Sequence, residues 1–475
     1  MIRQRRIINF FLAVFVLFSF LISKAQNPFQ VSISNTTLAA TDSLLPFWFV
    51  ANQHDKVLAS NSFSNITDLT VGQQYNNNSK SKLHYTWGGN FVAAFGENNY
   101  YQLNQAFAGL SLLGWEIKGG MFYEEIRFAG LSTSNGNIAA SGNARPVPKI
   151  RFATLGYKQF PFWQNWLSFK GEYEEGFLND SRYVDGAHLH HKNLYFKFQT
   201  SSTFNFKIGF EHYVMWGGTS QDENIGELPE GWNAYWHYIF AIPGGEDFPE
   251  TDQKNIAGNQ LGTYQFEMMK DFSKMDMTFY ISHPWEDNSG LNLHNWPDNL
   301  LGLHIQLENG KKLVTDVVYE FTNSRQQSIR DSIYSWDENS GQWKMNEYDD
   351  YYNNGIYVSG FTYRQNVMST PLFFPINRSN GISMGIRSNR FFAHHLGMRG
   401  NFSDFISWKG LLTYMQHLGT YSNPYTIAQK QLSGLFEVQY VNSDFPVEIG
   451  LSAGGDAGNT MKNNLGFRFT LAKRW

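Results

Sequence analysis

The chain ends on LGFRFTLAKRW, Leu465 to Trp475. Leu465, Phe467, Phe469, Leu471 and Trp475 share one parity. Gly466, Arg468, Thr470 and Arg474 share the other, and Lys473 is the one misfit. Successive side chains leave a strand on opposite sides, so strict alternation makes a strand with two unlike faces. A last strand that closes on an aromatic residue is what a bacterial outer-membrane β-barrel offers its insertion machinery. An ordinary half-buried terminal strand has the same period.

The start of the chain supports the barrel. Arg3, Arg5 and Arg6 precede a nearly unbroken apolar run from Ile7 to Ile22, and Ser23-Lys24-Ala25 is a small-x-small triplet. Residues 1–25 therefore read as a secretory signal peptide. An N-terminal anchor is the alternative, but the run is short for a span of about 20 residues. The chain has no cysteine, which excludes a lipid-modified thiol, disulfides and thiolate metal sites. After Ala25 no apolar run reaches the length of a membrane helix, and the mean hydropathy is −0.40. Aromatics make up 17% of the residues and charged groups only 16%, below the ~25% charged residues of a soluble domain. That imbalance fits a lipid-facing band with aromatic girdles better than a secreted sandwich or propeller. A net charge of −4 without a basic patch gives no sign of a nucleic-acid partner.

Alternation recurs along the chain. Trp115, Ile117, Gly119, Met121 and Tyr123 oppose Glu116 and Lys118. Leu167, Phe169 and Tyr173 oppose Ser168, Lys170, Glu172 and Glu174, and Phe204, Phe206, Ile208 and Phe210 oppose Lys207 and Glu211. In a sandwich the polar phase would face water; in a barrel it faces the lumen and the apolar phase faces lipid. The period does not separate the two. Aromatics at segment ends (Trp87, Trp115, Tyr123, Tyr319, Tyr414) favour girdles. The length after the leader suits roughly 16 to 18 strands at about 25 residues per strand and connection. Two long acidic, aromatic connections, residues 217–260 and 323–354, stand out and are expected to be extracellular. Residues 26–80 alternate poorly. Their one apolar cluster, LLPFWFVANQ (Leu44 to Gln53), reads as a short helix or plug under the barrel, or simply as the first strand. The expected organisation is a signal peptide (1–25), an N-terminal periplasmic or plug segment (26–80) and a barrel (81–475).

Several stretches resemble the capsule assembly Wzi family as it occurs in Bacteroidetes-type sequences. They are PFWFVANQ (Pro46 to Gln53), SGNARPVPKI (Ser141 to Ile150), GEYEEGFLNDSRYVDGAHLHHKNLYFKF (Gly171 to Phe198), FEHYVMWGG (Phe210 to Gly218) and DDYYNNGIYVSGFTYRQNVMSTPLFFP (Asp349 to Pro375). They keep their order over most of the chain. The resemblance implies an all-β, antiparallel transmembrane barrel of about 18 strands with small periplasmic-side helices. It implies a lectin-like surface protein, not an enzyme, that helps hold or organise capsular polysaccharide at the outer membrane. Enterobacterial members are distant from this sequence, so architecture is what carries over.

Sugar binding needs aromatic faces for the apolar side of a pyranose ring and polar groups for its hydroxyl edges. Trp216, Trp232, Trp236, Trp336 and Trp343 are the candidate platforms, and Arg145, flanked by Pro146 and Pro148, is a candidate rim group. Lys170, Glu172, Glu174, Arg182, Glu211 and Arg364 are candidates for a lumen charge network, read as structural because an unpaired buried charge is costly. His188 and His190, with Asp185 nearby, have chelating spacing but no further metal-ligand pattern, so no metal or other cofactor is expected. Glu124-Glu125 and Glu174-Glu175 cannot each flank one glycosidic bond, since neighbours on a strand point to opposite faces. The expected partners are capsular or extracellular polysaccharide, outer-membrane lipid and, through Trp475, the barrel-assembly machinery, with the protein a monomer. A channel for small solutes and an outer-membrane enzyme acting on glycans or lipids are the rival readings.

Overall fold

The structure, a computed structural model, describes residues 29–73, 83–163, 166–286, 288–307, 313–329, 334–337, 342–345 and 348–475. The signal peptide expected at 1–25 lies outside the described residues. Eighteen strands run antiparallel to their neighbours. The first nine are β1 (Phe29–Ala40), β2 (Phe63–Gln73), β3 (Leu83–Gly96), β4 (Tyr100–Leu112), β5 (Trp115–Met121), β6 (Lys149–Thr154), β7 (Leu167–Phe177), β8 (His188–Ser201) and β9 (Phe204–Trp216). The rest are β10 (Asn259–Asp271), β11 (Met275–Trp285), β12 (Asn299–Leu307), β13 (Asp316–Asn323), β14 (Phe391–Asn401), β15 (Ile406–Gly419), β16 (Pro424–Tyr440), β17 (Glu448–Gly458) and β18 (Asn464–Arg474). Each pairs with the next, and β18 returns to β1 with Ser32 opposite Arg474 and Ala40 opposite Gly466. The sheet has no free edge, the condition for a sheet to cross lipid.

The faces are reversed relative to a soluble sandwich. On β18, Leu465 is 59% and Phe467 63% exposed, while the Arg468 side chain opposite them is 13% exposed. The apolar phase is outside and the polar phase inside, which decides for a transmembrane barrel. Trp115 stacks on Phe152, and Trp163 and Trp166 sit 6.1 Å apart, at the end that carries the chain termini.

The connections at that end are short. Five at the other end are long, at 41–62, 122–148, 217–258, 286–298 and 324–390, beside short turns at 97–99, 420–423 and 459–463. Long loops are normally the extracellular ones. Four short helices lie within them: α1 (Phe47–Val50), α2 (Trp232–Ile239), α3 (Glu250–Lys254) and α4 (Asn288–Leu291). Two expectations are corrected here. The sheet does not begin at residue 81: β1 and β2 belong to 26–80, and only residues 41–62 of that stretch leave the wall after β1 and return to it. Alternation was poor there because β1 is rich in Ser, Thr and Asn on both faces. The helices among the described residues stand at the loop end, not the end bearing the termini.

Three long connections fold back into the lumen and fill it. Leu131, Ile138, Tyr351, Phe361 and Phe373 are fully buried between the walls. The segment 122–148 is bound to several strands at once. Glu320 on β13 accepts hydrogen bonds from Ser132 Oγ (2.5 Å), Thr133 N (2.8 Å), Thr133 Oγ1 (2.6 Å) and Tyr280 on β11 (2.7 Å). The Leu131 carbonyl accepts from His395 Nε2 on β14 (2.7 Å), and Ile138 N donates to Ser282 Oγ (3.0 Å). The α1 helix is held likewise: Phe47 N donates to Asp456 on β17 (2.9 Å) and Trp48 Nε1 to Thr413 on β15 (3.2 Å).

Glu320→Ala would leave three hydroxyls and one amide without their acceptor, a cost on the order of 3 kcal/mol or more. Expected are a barrel that still inserts, a lower temperature for its heat-modifiable gel shift, and conductance in planar bilayers above that of the unaltered protein.

Candidate functional site

The inward faces of five neighbouring strands carry one charge network. Lys149 on β6 lies 2.7 Å from Glu124 and 2.9 Å from Glu174 on β7. Arg151 on β6 lies 3.0 Å from Glu116 on β5 and 2.9 Å from Glu124. His191 on β8 stands between Glu174 (3.0 Å) and Glu211 on β9 (3.6 Å), and Glu211 also accepts from Tyr195, Tyr213 and Asn137. The Phe122 ring is surrounded by Lys118, Lys149 and Arg151 at 4.5 to 4.9 Å. Glu172, Glu174 and His191 are close enough together to suggest a metal site. Lys149 and Arg151 already neutralise that carboxylate cluster, so the arrangement is that of an ion-pair network.

Above the plug, a cavity of about 2150 Å³ lies among the long connections. Asp247, Glu250, Asp252, Glu286, Asp349 and Asp350 line it, together with Asn224, Asn255, Asn259, Asn292, Asn353 and Asn354. Lys254 is tied to Glu250 across one helical turn. Asp349 accepts from Ser289 Oγ (3.0 Å) and Ser328 Oγ (2.6 Å), and Asp350 from Asn353 (3.1 Å) and Asn389. Burial raises the carboxyls of Asp252 and Asp350 above the usual range. Chemically this is a wide, acidic, amide-rich bowl, able to accept from and donate to many hydroxyls.

The predicted residues fall into four groups. Lys170 and Glu172 pair at 3.2 Å, and Glu174 and Glu211 belong to the lumen network, as the parity of their strands requires. Arg182 and Arg364 do not join it. They meet at the loop end on Asp180, which accepts from Arg182 Nη1 (3.1 Å) and Arg364 N (2.8 Å). Arg145 is held by Asp55 (3.0 Å), which also accepts from Asn366 (2.9 Å), so it joins three inward connections rather than standing at a rim. Trp216 is buried, stacked on His188 at 4.4 Å and covered by Tyr238, with no ring face left for a sugar. Trp232 and Trp236 lie on α2, outside the barrel wall. Trp336 is exposed and opposite Trp343 on a ribbon formed by Tyr334–Asp337 and Gln342–Met345; the Trp343 side chain is outside the described residues. His188 and His190 face outward while His191 faces in, and His190 bonds Glu175 (2.6 Å), so the histidine run does not converge on one point. Sequence reasoning missed Lys118, Lys149, Arg151, Glu116 and Glu124. Glu116 and Lys118 carried the alternation signal of an inward phase; the strand bearing Lys149 and Arg151 is too short to show one.

The sequence model of the family described as capsule assembly protein Wzi matches residues 30–374. The chain belongs to that family. Among solved structures it is similar to Wzi of Escherichia coli, whose description is an outer-membrane, carbohydrate-binding β-barrel involved in group 1 capsule assembly. The identity is 14% and the TM-score 0.58, over 96% of this chain and 86% of that one. That likeness shows the fold. Pseudomonas aeruginosa OprD is 7% identical with a TM-score of 0.47, covering 95% of each chain, and OccK5 of the same organism is 8% identical with 0.46, covering 94% and 97%. No curated protein matches in sequence. The Wzi-family motif stretches meet in the plug: Asn52 N donates to Asn143 Oδ1 (3.3 Å), Ser141 Oγ to the Ser369 carbonyl (2.6 Å), and Tyr357 OH to the Gly217 carbonyl (3.3 Å).

Beside the bowl, Asp298 is fully buried and accepts from Gln326 N (2.9 Å), Gln327 N (2.8 Å) and Asn323 Nδ2 (2.7 Å). Burial nevertheless pushes its carboxyl up to about 6 from 3.8. A raised acid binds its proton more tightly folded than unfolded. Its contribution to stability is therefore full below pH 4 and is lost as pH rises through about 6. Amide-exchange protection at Gln326 and Gln327, corrected for intrinsic rates, is expected to be about tenfold higher at pH 5 than at pH 7.5. Asp298→Asn is expected to remove most of that difference.

Proposed function

We propose that this Wzi-family barrel binds a surface polysaccharide of its own cell in the bowl at the loop end and helps hold it there, without chemical turnover. The observation that supports this best is the union of a filled lumen with a wide, hydroxyl-complementary cavity outside it. Leu131, Ile138, Tyr352 and Phe373 occupy the cross-section a solute would need, which speaks against the channel reading. The bowl's carboxylates outnumber its cations, with Lys254 already paired. Such a lining favours neutral or amino sugars and repels uronic acids. Trp336, with Trp343 opposite it, is the candidate stacking ribbon beside the bowl. We take the protein to act as a monomer, inserted through its last strand and Trp475.

The test is binding of purified polysaccharide from the producing cell to the detergent-solubilised protein, beside a neutral glucan and a polyuronate. Saturable binding of the cell's own polymer is expected, with none of the polyuronate. Asp247→Ala and Asn255→Ala, each removing one exposed polar group, are expected to weaken binding about 2- to 10-fold. Equal binding of all three polymers would refute the assignment.

A further inference from the structure

The outer wall of a barrel should be apolar through the hydrocarbon, and on β3 it is. Outward residues from Leu83 through Trp87 and Phe91 to Phe95 are apolar or glycine. That run is about 40 Å along the strand, or about 30 Å along the axis at a usual tilt. It covers the ~25 Å apolar band of such barrels.

The opposite wall does not match it. On β9 the outward apolar run is Phe204, Phe206, Ile208 and Phe210, about 20 Å along the strand and about 15 Å along the axis. Above it the same outward face carries polar groups in register: His212 opposite Lys192 on β8, and Lys192 opposite Tyr173 on β7. One step further up come His190 and Glu175, and Gln260 on β10. Facing lipid, these groups would be costly.

They do not face lipid, because the 217–258 connection folds down over them. Tyr235 of α2 hydrogen-bonds Glu175 and Tyr173. Lys192 Nζ donates to the Ile239 carbonyl at the end of α2, and Gln260 Nε2 to the Tyr238 carbonyl (2.9 Å). His212 is satisfied by Gln260. The inner side of α2 is apolar: Ala234 and Tyr238 pack with Val214, Trp216 and Phe248. Its outer side is apolar too. Trp232, Trp236 and Phe240 recur at every fourth position, with Trp232 74% and Phe240 63% exposed, followed by exposed Ile242.

We infer that residues 232–242 form a cuff that completes the lipid-facing belt over β7 to β10, with Trp232, Trp236 and Ile242 in contact with the acyl chains of the outer leaflet, while Phe240 turns toward the bowl it lines. The missing ~10 Å of apolar wall lies where the cuff lies, and the exposed face of the cuff continues the band of Leu194, Ile208 and Met268. The cuff therefore places these tryptophans against lipid and not against a glycan. The inference does not depend on what the bowl binds.

The chain's lack of cysteine makes the test direct. Single Trp232→Cys and Ile242→Cys variants, labelled with bimane, are placed in phosphatidylcholine vesicles containing doxyl-labelled lipid, and separately exposed to iodide. Leu194→Cys on the wall and Asp247→Cys in the bowl are the lipid and water references. Folding of each variant is read from its heat-modifiable gel mobility, and Ile242, outside the helix packing, serves if Trp232→Cys does not fold. Expected is quenching by doxyl lipid comparable with Leu194→Cys and at least twofold greater than with Asp247→Cys, with iodide quenching correspondingly weak. Iodide quenching like that of Asp247→Cys would overturn the inference. Shielding from both quenchers would also overturn it, by placing a second protein surface on the cuff.

Discussion

The pairing of the last strand with the first governs this molecule. In hydrocarbon no water satisfies a free backbone amide or carbonyl, so a spanning sheet must close. Ser32 to Ala40 against Arg474 to Gly466 removes the two edges an open sheet would present. Once closed, the wall has an outside that must be apolar and an inside that need not be. The alternating sequence then has one placement, with aromatic and aliphatic side chains on lipid and most Arg, Lys and Glu within; the outward Glu175, His190, Lys192 and His212 lie under the 217–258 connection.

Closure creates a second demand. Eighteen strands enclose more space than their inward side chains fill, and those side chains are charged. The long connections meet both needs. They bring Leu131, Ile138 and Phe373 into the gap and supply donors such as Ser132 and Thr133 to Glu320. The ion pairs of β5, β6 and β7 satisfy the rest, with Glu124 of the 122–148 connection joining Lys149 and Arg151, because cross-strand neighbours on one face lie within reach of each other. What results is a stiff post with a bowl at one end, suited to holding a polymer rather than passing a solute.

The strands were legible because period two is local: each alternating segment carries its own evidence, and the terminal one pointed to an outer-membrane barrel without excluding an ordinary half-buried strand. Failures came where local pattern ends. β1 was obscured because Ser, Thr and Asn populate both its phases. Tyr123, read as a girdle residue, turns inward past the end of β5 and stacks on His54 at 4.0 Å. Arg182 and Arg364 were grouped with the lumen charges, although they lie on connections, where parity gives no side. Trp232 and Trp236 were read as loop residues, and nothing local in the chain records that their helix lies outside the wall.

The leader-like N-terminal pattern, the absence of cysteine, the recurring two-faced strands and the inward phase of those with clean alternation were thus determined by the sequence itself, since each rests on residues close together in the chain. Tertiary structure decided the rest: that the lumen is filled, that Arg145 joins three connections through Asp55 and Asn366, that His191 sits between Glu174 and Glu211, and that α2 lies outside the wall. Each of these depends on residues far apart in the chain being brought together when the barrel closes and its connections fold back. No local period records which strand a returning loop will meet.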